Sequence, residues 1–227
     1  MYEPEFQDRY EGGRVLADRL RRHARQPGTL VLALPRGGVP VGAEVARALG
    51  VPLDVFLVRK LGTPGHEELA MGAIASGGVR VLNREVVDEL NIHREQIEDA
   101  TRRESLELQR REQSYREGRP PPDVRGRTVI LVDDGLATGT TMRAAVAALR
   151  IQGPASIIVA VPVAAEESCQ SLAQVADEVI CVQMPEPFYS VGLWYRDFAQ
   201  TEDDEVRALL AQAVREQQAP DAPRPSA

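Results

Sequence analysis

The sequence predicts an α/β fold, a mostly parallel sheet flanked by helices. Short apolar runs of Val, Leu and Ile alternate along the 227 residues with segments of helical spacing. The hydrophobic content is 43% while aromatics make up 4%, so the apolar side chains are mainly Val, Ala and Leu, which suit strands buried on both faces. In such sheets ligands bind beyond the carboxyl ends of the strands, so the loops after the apolar runs are where function is expected.

Residues 12–25, GGRVLADRLRRHAR, place Val15, Leu16, Leu20 and Ala24 on one helical face and arginines on the other. Residues 29–34 predict a buried strand, PRGG breaks it, and 39–49 resume as a helix that Gly50 ends. LDVFLV at 53–58 predicts a second strand ending in Arg59 and Lys60, and 69–82 predict short extended pieces about a Ser-Gly-Gly turn. Residues 83–118 are dense in charges of both signs and predict one or two helices with a largely solvated face, stopped by PPPD at 120–123. A third strand at 128–132 precedes a helix at 140–151, a strand at 156–161, a helix near 165–174 and a strand at 178–182. An aromatic, Pro-marked segment at 184–198 leads to a last helix at 202–217. That helix opens after Thr201 with Glu202, Asp203 and Asp204, where the helix dipole favours acids. Residues 219–227 are Pro-rich and predict a disordered tail, leaving a single domain over 1–218.

Composition narrows the function. A net charge of −7, with no basic patch or helix-turn-helix, argues against DNA binding. Cys169 and Cys181 form no CxxC pair and there are three histidines, so a structural zinc site is not expected; the two cysteines read as reduced thiols in or near the core. The polar, acidic start MYEPEFQDRYEGG has no signal pattern, and no apolar run reaches the ~20 residues that span a bilayer, so the reading is a cytoplasmic protein without membrane contact.

The densest chemistry lies at 129–141, VILVDDGLATGTT. A loop of small residues between strand and helix exposes backbone N–H groups that, with the helix N-terminus, form an anion site, and Thr138, Thr140 and Thr141 add hydroxyls. Neither a Walker A loop nor GxGxxG is present. Asp133 and Asp134 beside that cup would repel a phosphate unless they face vicinal hydroxyls or a divalent cation. A phosphate cup next to a hydroxyl clamp describes a ribose 5-phosphate.

This stretch closely resembles the PRPP-binding motif of type I phosphoribosyltransferases, and the whole chain resembles bacterial phosphoribosyltransferase-like proteins carrying LPRGGVPVG and VDDGLATGTT. The resemblance implies a parallel α/β core with a small hood at 184–200. It places the long charged helical insertion at 83–118 where the family carries a catalytic lid; a solvated hairpin or an interface is an equal reading. It implies that Asp133 and Asp134 meet the ribose hydroxyls and influence Mg²⁺ indirectly, through ribose or water. Ala137, Thr138, Gly139, Thr140 and Thr141 would bind the 5-phosphate. Gly135 departs from the aliphatic residue usual there, which could loosen the loop.

PRGG holds the family's pyrophosphate position, with Arg36 for charge and Gly37 and Gly38 for close approach. Arg59 and Lys60, the one lysine among 27 basic residues, suit the same role, and Lys60 joins the two aspartates as a catalytic candidate. Purine enzymes of the family usually carry Asp where Ala137 stands, and Ala accepts no proton. Phe188, Tyr189 or Trp194 could stack on a planar acceptor. The expected function is therefore Mg²⁺-dependent transfer of ribose 5-phosphate from PRPP to a nitrogen acceptor, a nucleobase or related heterocycle. The expected assembly is a homodimer, the commonest closed form. The alternative function is a PRPP- or nucleotide-sensing regulator that binds without turnover.

Overall fold

The computed structural model describes residues 5–218; the Pro-rich tail at 219–227 lies outside them. Helix α1 (Arg9–Arg19) leads into β1 (Thr29–Ala33), α2 (Gly38–Leu49) and β2 (Leu53–Val55). Strands β3 (Val58–Thr63), β4 (His66–Ala75) and β5 (Val79–Leu82) follow, then α3 (Arg84–Glu89) and α4 (Arg94–Arg116). The chain returns through β6 (Thr128–Val132), α5 (Thr140–Gln152), β7 (Ser156–Val163), α6 (Glu166–Leu172), β8 (Glu178–Gln183) and α7 (Asp203–Gln218).

Five strands form one sheet in the order β2-β1-β6-β7-β8, every pairing parallel, as the apolar runs predict. Successive side chains go to opposite faces. Val31, Ala33, Ile130, Val132, Ile158 and Ala160 join a core with α1, α2 and α7. Leu30, Leu32, Val129, Leu131, Ile157 and Val159 join another with α5 and α6. From β1 the chain travels outward to β2, and from β6 it travels the other way through β7 to β8. The strand order therefore reverses between β1 and β6, which opens a crevice at their carboxyl ends. Among the described residues no helix is long and apolar enough to cross a membrane.

Several expectations are corrected. Helix α1 starts before residue 12 because the Asp8 carboxylate caps it, accepting from the Glu11 N–H at 2.8 Å. Gly12 and Gly13 sit inside the helix, since a β-carbon at Gly13 would come within 2.8 Å of the Val41 carbonyl on α2. LDVFLV is not one strand. Only Leu53–Val55 pair with β1; the chain then crosses into a second, antiparallel sheet of order β3-β4-β5. Arg59 and Lys60 thus lie within β3 and not at the carboxyl end of a core strand. The Ser-Gly-Gly turn joins β4 to β5, with Gly77 and Gly78 at φ of 84° and 72°. Cys169 of α6 and Cys181 of β8 are disulfide-bonded and not reduced thiols.

Helix α4 packs on β3 and α7. At its end the Tyr115 O–H donates to Asp203 at 2.7 Å, and the buried Arg116 guanidinium donates to Asp54 and to the Val55 carbonyl, each at 2.8 Å.

Candidate functional site

Asp133 and Asp134 directly follow the last residue of β6, and residues 35–38 follow β1 after Leu34, running into the start of α2 across the switch-point crevice. A β-carbon at Gly37 would sit on Asp134 Oδ2, and one at Gly38 would lie 2.8 Å from the Val132 carbonyl and 2.9 Å from Asp133 Cα. The two glycines first make room for the acids. The Pro35–Arg36 peptide between strand and glycines is cis.

Three groups fix Asp134. Arg9 Nε donates to its Oδ2 at 2.8 Å, the Tyr195 O–H donates to its carbonyl at 2.6 Å, and its own N–H donates to Asp133 Oδ1 at 2.8 Å. Burial pushes both carboxyls above their usual range. The Asp134 charge pushes Asp133 further, while the Arg9 guanidinium pulls Asp134 back. Burial also raises the Tyr195 phenol, which keeps it a donor.

The space beside Gly135 is already filled. A β-carbon there would lie 2.6 Å from Val191 Cγ1 and 3.0 Å from the Val163 carbonyl, so the missing aliphatic side chain is replaced by one from residue 191. Beyond it, Ala137, Thr138, Thr140 and Thr141 are exposed or border the exposed loop, with Thr140 and Thr141 opening the first turn of α5. Gly139, at φ 66°, precedes α5 and no side chain caps the helix, so no capping side chain takes up the first-turn N–H groups. The Ser168 O–H donates to the Ala137 carbonyl at 2.5 Å and so ties this loop to α6.

The remaining candidates divide. Arg36 lies 3.7 Å from both Glu202 and Asp203, its side chain one-third exposed. Lys60 lines a cavity of about 440 Å³ that Thr140 and Thr141 also line, and its ammonium donates to the Glu68 carbonyl at 3.2 Å. Arg59 donates to Glu104 of α4 at 2.8 Å and is not among the residues of that cavity. Phe188 and Trp194 pack against Phe6, Val163 and Tyr195, whereas Tyr189 is exposed. Arg9, Tyr195 and Ser168 are not among the residues that the sequence singles out. Tyr195 lies in the aromatic segment that points to its neighbours; Arg9 and Ser168 carry no local signal.

Among the described residues no group of three or more His, Cys, Asp and Glu could hold a metal. Asp133 and Asp134, of which only Asp134 is bonded to Arg9, are the adjacent carboxylates that a cation bringing most of its own oxygen ligands would meet.

Residues 5–193 match the phosphoribosyl transferase domain. The chain belongs to the phosphoribosyltransferase family. Its parallel sheet, motif and switch-point crevice are those of the type I branch. Two Mycobacterium tuberculosis proteins, from strains CDC 1551 and H37Rv, each named "Putative phosphoribosyl transferase", are 46% identical over 211 residues, 93% of this chain and 47% of theirs. The chain thus spans about half the length of the curated relatives it matches. The crystal structure of TT1426 from Thermus thermophilus is 41% identical and superposes with a TM-score of 0.82 over 92% of this chain and 98% of that one. The domain match ends at 193, so Tyr195, Phe198 and α7 of this chain lie beyond it.

Proposed function

We propose that this phosphoribosyltransferase takes ribose 5-phosphate from PRPP and transfers it to a nitrogen acceptor, a nucleobase or related heterocycle, releasing pyrophosphate. One observation carries the reading: the acid pair and the glycine loop meet at the β1–β6 switch point, with the uncapped start of α5 at the end of the same loop. A phosphate on Ala137–Thr141 and vicinal hydroxyls on Asp133 and Asp134 would orient the ring rigidly. As the bond from ribose C1 to pyrophosphate breaks, positive charge develops on the ring, and nearby carboxylates stabilise it. Gly37 and Gly38 let the departing pyrophosphate approach backbone, and Arg36, held only loosely by Glu202 and Asp203, supplies positive charge. Lys60 faces the cavity beside Thr140 and Thr141. Asp133 and Asp134 would hold Mg²⁺ through ribose or water, and the ion supplies charge neutralisation for the leaving group. Phe188, Tyr189 and Trp194 are the acceptor-stacking candidates.

The test is pyrophosphate release from Mg²⁺–PRPP across a panel of nucleobases, heterocycles and amines. Turnover with at least one acceptor is expected, together with an affinity loss of tenfold or more by calorimetry for Asp133→Asn and Asp134→Asn. Unchanged PRPP affinity in both variants sinks the site assignment. Because Ala137 offers no proton acceptor, a sensing role is the second reading, and tight PRPP binding with no turnover on any acceptor supports it.

A further inference from the structure

Arg9 is held at three points by groups that belong to the chain itself. Its Nε donates to Asp134 Oδ2 at 2.8 Å, its Nη1 donates to the Ala199 carbonyl at 2.6 Å, and its Cζ lies 3.8 Å from the Phe198 ring centroid. The side chain is 11% exposed. Phe198 stacks on Tyr195 with centroids 5.2 Å apart, and Tyr195 packs on Phe6 at 5.5 Å. Backbone bonds close the ring: Phe6 N–H to Trp194 O, Arg196 N–H to Phe6 O and Asp197 N–H to Gln7 O. The first described residues and the segment after the family match thus form one clasp, and both of its ends, the Arg9 guanidinium and the Tyr195 hydroxyl, grip Asp134.

We propose that Arg9 is a positioning residue of this site: clamped by Phe198 and Ala199, it fixes the Asp134 carboxylate against the Gly37 loop and offsets the charge of one of two adjacent acids. This rests on the PRPP reading for its consequence in binding and on the clasp alone for its geometry. A guanidinium fixed in advance loses little freedom when it acts, and a planar fork stacked on an aromatic ring is not reproduced by an ammonium. Gly37 is part of the same device, since a β-carbon there would also lie 3.2 Å from Arg9 Nε.

The test uses the full chain. Arg9→Gln is expected to weaken Mg²⁺–PRPP binding about tenfold or more, with Arg9→Lys recovering only part of it. The double variant Arg9→Gln/Asp134→Asn is expected to bind no worse than Asp134→Asn alone. A merely structural role gives additive losses and lowers melting temperature without that coupling, and additivity overturns the proposal. Amide hydrogen exchange of ligand-free protein reads the geometry separately: exchange at 133–136 speeds in Arg9→Gln while α2 and the remote part of α5 keep their protection. Unchanged exchange at 133–136 overturns the proposal even where PRPP binds. Faster exchange in a protein that binds no PRPP at all sustains the clasp and overturns the PRPP reading instead.

Discussion

Asp133 is a residue whose folded state works against its charge. Burial and the neighbouring Asp134 raise its titration above that of an unfolded chain. The folded state then binds more protons than the unfolded one, so stability falls as pH climbs out of the ordinary carboxylate range. Asp133→Asn should therefore raise the melting temperature, more at about pH 7.5 than at about pH 4.5, while PRPP affinity drops. Equal gains at both pH values in calorimetry refute this. Gly135 shows the opposite kind of constraint. Gly135→Ala meets Val191 and should cost about 1–3 kcal/mol in urea unfolding, a cost that shrinks in a Val191→Ala background. The acids and the small-residue loop were legible because all their chemistry lies in thirteen consecutive letters. Arg9 was not, because its partner stands 125 positions away and an isolated arginine near the start of the chain has no distinguishing context.

At the scale of elements, β1, β6 and β7 were legible because each is a short apolar run buried on both faces. The same property hid the break in LDVFLV. Leu53 through Leu57 are all buried, so no alternation marks where the chain leaves one sheet for the next. Helix α4 hid its anchor in a similar way. Among its many charges only Arg116 is buried, with a side chain 3% exposed, and it is bonded to Asp54, whose carboxyl burial pushes up even with the guanidinium beside it. Arg116→Ala removes the cation and strands that carboxylate, so a loss of about 3–5 kcal/mol is expected in denaturant unfolding. A loss under about 1 kcal/mol would place the pair among inconsequential surface contacts.

For the molecule as a whole, the Cys169–Cys181 bond ties α6 to the edge strand β8, and Ser168 beside it holds the Ala137 carbonyl. Its contribution should be about 3 kcal/mol for a loop of this length. Thiol titration of unfolded, unreduced protein should find no reactive thiol, and a dithiol reductant should lower the melting temperature; two reactive thiols before reduction contradict the bond. Neither partner was readable as paired, since twelve positions of separation say nothing of how a helix lies on a strand. The clasp on Asp134 has a consequence for the order in which the protein is made. Synthesis runs from the amino end, and the acid pair leaves the ribosome well before Tyr195, Phe198 and Ala199 exist. A nascent chain halted at residue 193 contains the whole domain match and still lacks the phenol, the ring and the carbonyl that complete the grip. The site's geometry is finished only once Ala199 has been made, although its motif is written well before it.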